Sequence, residues 1–174
     1  MIPLELSRPV QVDRLGHEER SYDIEATTDE CAALARRYDI LAVARLSARV
    51  RLRRLPGGKL FRLSGRFSAD VSQSCVVTLA PVPAHLEEEF ILIYTMDRPE
   101  EGDEVIIDLD AEDPPEVIEN GAIDIGEAVA EHLALALDPF PRVDGAVFHY
   151  DEAPPIEETP KVNPFATLAS LKKK

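Results

Sequence analysis

Four histidines and two cysteines are the residues of this 174-residue chain from which a catalytic or metal centre would have to be built. His17, His85, His132 and His149 are dispersed, and none stands at a metal-ligand spacing from Cys31 or Cys75. There is no HExxH, no phosphate-binding glycine-rich loop and no serine nucleophile elbow. His132 sits in a helical pattern and is expected to pack, and Cys75 sits in a period-two run and is expected as a buried strand residue. Asp108, Asp110, Glu112 and Asp113 could attract a hard cation. Their spacing lacks the central glycine and terminal glutamate of a calcium loop, so a solvated acidic loop is expected. The residues point away from an enzyme and require no cofactor and no metal.

Charge is more informative. Nineteen basic and 33 acidic residues give a net charge of −14, which disfavours nonspecific nucleic-acid binding by the molecule as a whole. The charge is unevenly spread: residues 36–66 carry ten Arg or Lys and one Asp, while residues 87–131 carry seventeen Asp or Glu and one Arg. Such separation can orient the protein on an anionic surface, or the two regions can satisfy one another within the fold.

The elements that position the basic residues follow from periodicity. From Ile40 the period is two, with Ala42, Ala44, Leu46, Ala48, Val50 and Leu52 on one face. Arg45, Ser47, Arg49, Arg51 and Arg53 fall on the other. Pro56-Gly57-Gly58 is a turn signal, and the pattern resumes at Leu60. A turn at Gly57 and Gly58 sets Leu55 opposite Leu60, Arg53 opposite Arg62, Leu52 opposite Leu63 and Arg49 opposite Arg66. Arg49, Arg51, Arg53, Arg62 and Arg66 then share one face and repel one another across the hairpin, so they ask for a counter-surface. Phosphate is one candidate, and the acidic half of the same chain is the other.

Around this hairpin, Tyr22, Ile24 and Ala26 suggest a strand, and Thr27 with Glu30 has capping-box spacing before a helix carrying Cys31, Leu34, Ala35 and Tyr38. Further strands are expected over 69–80, with Val71, Cys75, Val77 and Leu79 on one face, and over 87–95. Asp108 to Glu119 reads as an irregular connector. Asp124 caps the clearest helix, with Ile125, Val129, Leu133 and Leu137 as its apolar stripe, ended by Pro139. The expected fold is α+β: a mostly antiparallel, strongly twisted sheet with packed helices in one domain over 1–150, followed by a mobile C-terminal tail over 151–174. Residues 151–162 are acidic and Pro-bearing. Beyond them Asn163 and Pro164 suit a helix start. Phe165, Leu168 and Leu171 would form its packing side, and Lys172, Lys173 and Lys174 its anionic contact. No basic, long apolar leader opens the chain and no apolar run approaches membrane-spanning length, so a reduced, soluble, cytoplasmic protein with no membrane partner is expected.

Several segments, in order, carry a resemblance. Leu63-Ser64-Gly65-Arg66-Phe67-Ser68-Ala69-Asp70-Val71 through Cys75-Val76-Val77-Thr78-Leu79-Ala80-Pro81-Val82 resembles the central signature of the bacterial large ribosomal RNA subunit accumulation protein family, also called YceD. Ile123-Asp124-Ile125-Gly126-Glu127-Ala128-Val129, Leu133 to Pro139 and Asn163 to Lys172 are similar to its later landmarks. The resemblance implies a non-enzymatic role in synthesis, processing or accumulation of 23S rRNA during large-subunit biogenesis. The implied partner is rRNA or a pre-ribosomal particle, met directly or through a ribosome-assembly protein, and not DNA. Many members carry a second cysteine where this chain has Thr78, and often a glutamate where it has Ala80, so a zinc, redox or catalytic role resting on those groups does not transfer. The alternative is an acidic adaptor or chaperone-like factor that grips a basic ribosome-assembly partner through residues 87–131.

Overall fold

The computed structural model describes residues 5–16, 18–97 and 114–147. Among them the chain runs β1 (Pro9–Gln11), a single 3-10 turn (Val12–Arg14), β2 (Arg20–Glu25), α1 (Thr28–Arg37), β3 (Ala42–Arg54), β4 (Leu60–Ser74), β5 (Pro81–Thr95), β6 (Glu116–Val117), β7 (Ala122–Asp124) and α2 (Ile125–Ala136). The class is α+β. Five strands form one sheet in the order β2-β3-β4-β5-β6, antiparallel except for the β5–β6 pair, and β1 pairs with β7 in a small second ladder.

The hairpin has the register read from its turn: Arg53 faces Arg62, Leu52 faces Leu63 and Arg49 faces Arg66, with the Leu55 N–H donating to the Leu60 carbonyl. Gly57 and Gly58 both have positive φ, at 93° and 77°, the conformation that only glycine adopts without strain. Three strand expectations need correction. The core face of β3 does not begin with Ala42 and Ala44: a bulge between Val43 and Arg45 inserts one residue, so Val43 and Leu46 are buried while Ala44 is exposed. The expected strand over 69–80 is instead the last part of the continuous β4, which stops at Ser74. There the Cys75 N–H donates to the Ala80 carbonyl and Leu79 turns to φ 62°, leaving Leu79 exposed rather than on the core face. Finally, β5 begins at Pro81 rather than Glu87. Among the described residues β6 reaches only Tyr94 and Thr95, so Pro81 and Pro83 lie where β5 is an edge strand and their missing N–H groups interrupt no ladder.

One apolar cluster holds the elements together. Val50, Leu52, Leu63, Phe61 and Phe67 come from the inner face of the sheet, Cys31 and Leu34 from α1, and Ile125, Val129 and Leu133 from α2. Shielding each of these larger side chains is worth about 1.5–3 kcal/mol. Both helix starts follow the sequence. Thr27 and Glu30 complete a capping box on α1, and the Asp124 carboxylate accepts the Gly126 and Glu127 N–H groups on α2.

The chain before β1, for which the sequence offered no reading, ties the two caps. Asp124 also accepts the Arg8 N–H and the Ser7 hydroxyl, and the Arg8 guanidinium reaches Glu30. Gly126 is needed here because a Cβ at that position would run into the Leu6 carbonyl oxygen. Glu116–Val117 forms a short strand inside the stretch expected to be an irregular connector, and Asp108, Asp110, Glu112 and Asp113 lie outside the described residues.

Candidate nucleic-acid interface

Alternation along β3 and β4 sends Val50, Leu52 and Leu63 inward and leaves the intervening side chains on the outer face. Arg49, Arg51 and Arg53 therefore form a row on β3, at steps of about 6.6 Å. Arg62, Ser64 and Arg66 form the facing row on β4. These side chains line an open groove of about 1300 Å³, edged by Glu19 and Asp23 on one side and Glu89 and Ile91 on the other. Arg54 leaves this set: its guanidinium lies over the Phe61 ring at 5.1 Å.

The five arginines divide into two groups. Arg49 Nε donates to Asp23 at 2.6 Å, and Arg66 donates to Glu87 at 2.9 Å. Asp23 holds the Arg49 guanidinium more firmly protonated, and Arg66 holds the Glu87 carboxyl below its ordinary range. Arg45, farther along β3, lies 3.3 Å from Asp70. Arg51, by contrast, stands between Ser21 and Ser64, and Arg53 stands opposite Arg62. Among the described residues Arg51, Arg53 and Arg62 make no ion pair. Of the carboxylates that neutralise the middle of the face, Glu87 comes from the acidic half and Asp23 from β2, while the end near the turn keeps three cations without a carboxylate partner among the described residues.

Among the described residues, His85, His132, Cys31 and Cys75 lie in four separate settings. His85 Nδ1 meets Asp70 at 2.6 Å and Nε2 lies 3.5 Å from Glu87, and the two carboxylates raise its pKa. His132 packs edge-on against Phe90 with ring centroids 4.1 Å apart, and burial lowers its pKa. Cys31 is in the core. Cys75 is fully shielded but lies in the turn after β4, not in a strand. The Thr78 side chain, together with backbone groups of Val143, Thr78 and Val77, favours its thiolate and brings its pKa down to about 6 despite burial. The Thr78 N–H donates to this sulfur at 3.4 Å, and the Thr78 hydroxyl oxygen accepts the Ala80 N–H at 3.4 Å, which holds the turn. Among the described residues no three His, Cys, Asp or Glu side chains gather as a metal site.

Phe165, Leu168, Leu171, Lys172, Lys173 and Lys174 lie outside the described residues, as do His17 and His149. Sequence reasoning missed Asp23 as the partner of Arg49. Its signal was the alternation of β2, but only the pairing of β2 with β3 puts Asp23 beside that arginine. It also missed Ile91, 56% exposed on the same outer face.

The described residues define an α+β protein with a mostly antiparallel sheet, apolar on one face and charged on the other. The family model for YceD, large ribosomal RNA subunit accumulation protein, matches residues 63–172. The chain belongs to that family, whose description ties it to the accumulation of large-subunit ribosomal RNA. No curated protein and no solved structure matches the chain. No described helix is long and apolar enough to cross a membrane.

Proposed function

We propose that the protein supports 23S rRNA synthesis, processing or accumulation in the cytoplasm without catalysing a reaction, by contacting rRNA through Arg51, Arg53 and Arg62. The observation that carries this reading is the division of the arginine face. Three guanidiniums without carboxylate partners among the described residues stand together at one end of an open groove. Arginine forks match phosphate oxygens, and contacts to the backbone position a protein without reading sequence. The acidic remainder of the chain limits indiscriminate adhesion, since the net charge is −14. Arg49 and Arg66 frame the contact rather than make it, because Asp23 and Glu87 already occupy them. Phe165, Leu168 and Leu171 with Lys172, Lys173 and Lys174 supply a second, tail-borne contact.

The reading is tested by deleting the gene and measuring precursor and mature 23S against 16S rRNA, with the wild-type chain and the R51S/R53S/R62S variant supplied in trans. Selective loss of 23S species that the wild type restores and the variant does not is the expected result. Full rescue by the folded variant would overturn the arginine contact. Nuclease-resistant recovery of one basic ribosome-assembly protein, undiminished in that variant, would favour the adaptor.

A further inference from the structure

We infer that the groove takes an unpaired RNA strand rather than a duplex, with Ile91 as the surface that covers a base; this rests on the RNA-contact reading above. The register places Ile91 directly across from Ser64 and Ile93 across from Arg62, so an apolar ledge on β5 runs beside the cationic row. Ile91 is 56% exposed at the groove wall, although of its strand neighbours on the inner face Phe90 belongs to the core and Leu92 packs against it. A crosswise line on the sheet therefore reads cation, hydroxyl and apolar side chain: Arg51, Ser64 and Ile91.

An unpaired strand presents those complements together. Its phosphates meet the arginines, its 2′-hydroxyl can exchange hydrogen bonds with Ser64, and the apolar face of a splayed base covers Ile91. An A-form duplex turns only phosphates, sugars and a shallow minor groove outward, with its base faces stacked inside, and would leave Ile91 against water or phosphate. Charge complementarity selects an anion, and the isoleucine beside it selects an anion with exposed flat apolar faces.

The test is fluorescence anisotropy of the full-length protein with a labelled 12-nucleotide RNA, alone and annealed to its complement, using wild type, I91S, I91F and R51S/R53S/R62S. Wild type is expected to favour the single strand by roughly tenfold. Ile91→Ser should weaken single-strand binding by about threefold or more with the salt slope unchanged, and Ile91→Phe should restore or tighten it, since a ring stacks better than a branched chain. Equal binding of both RNAs, unaffected at Ile91 but lost in the arginine variant, would overturn the single-strand inference and leave the RNA reading standing. Absence of RNA binding by wild type, or tighter binding of an acidic peptide that RNA does not displace, would overturn both.

Discussion

Arg49 rests on Asp23 at 2.6 Å, whereas Arg51, two residues farther along the same strand, faces Ser21 from β2. Because β2 supplies a carboxylate at one step and a hydroxyl at the next, two arginines on the same face of one strand differ in their readiness to meet an external anion. Replacing Arg51, Arg53 and Arg62 with serine is expected to reduce the slope of log affinity for an RNA oligonucleotide against log salt by about 2, near 0.7 for each lost phosphate contact. Replacing Arg49 and Arg66 should change that slope by less than half as much. Binding isotherms at several salt concentrations, with the fold checked by circular dichroism, decide between them. Equal effects of the two sets would show that the internal ion pairs open on binding.

Arg62 opposes Arg53 across the hairpin, and like charges directly opposite destabilise a strand pair. Arg62→Thr is therefore expected to raise unfolding free energy by about 0.2–1 kcal/mol while weakening RNA binding. Urea denaturation alongside the binding assay measures both. A loss of stability would mean that Arg62 has a stabilising partner.

Glu30 accepts from Arg8 Nη1 and Nη2, at 2.8 and 3.1 Å, while closing the cap of α1. Its hydrogen bond with Arg8, aided by the Thr27 backbone and side chain, lowers its pKa to about 2 against burial. A depressed folded pKa stabilises above the unfolded value, near 4.5, and the contribution disappears as pH falls through about 2. Glu30→Ala should cost about 1–2 kcal/mol at pH 7 and flatten the dependence of stability on pH between those limits. Urea titrations at a series of pH values would show an unchanged slope if Glu30 were not responsible.

His85 is held chiefly by Asp70 and then Glu87, which raise its pKa above 6.5. Its charged form therefore contributes fully below about pH 6.5, and the contribution fades as pH rises through the raised value. Asp70→Asn is expected to bring the His85 pKa back toward 6.5 in a proton NMR titration. A pKa unmoved by that change would leave Glu87 as the controlling partner.

Local rules made the hairpin and both helix starts legible: Gly57-Gly58 fixed a register, and Thr27 and Asp124 carried capping signals. The bulge beside Ala44 was hidden because alanine fits either face, and the length of β5 was hidden because Pro81 and Pro83 look like breakers unless the strand is known to be an edge. The arginine face was visible from alternation alone, but its division was not. Asp23, Glu87 and Ile91 reach their places through strand pairing, which brings together residues distant in the chain.

The most direct test of the central claim is ultraviolet crosslinking of the full-length protein to RNA in cells, comparing wild type with the folded R51S/R53S/R62S variant. The account predicts 23S crosslinks in wild type that fall by about tenfold in the variant, as expected for the loss of several phosphate contacts. Undiminished 23S crosslinking by the variant would contradict it.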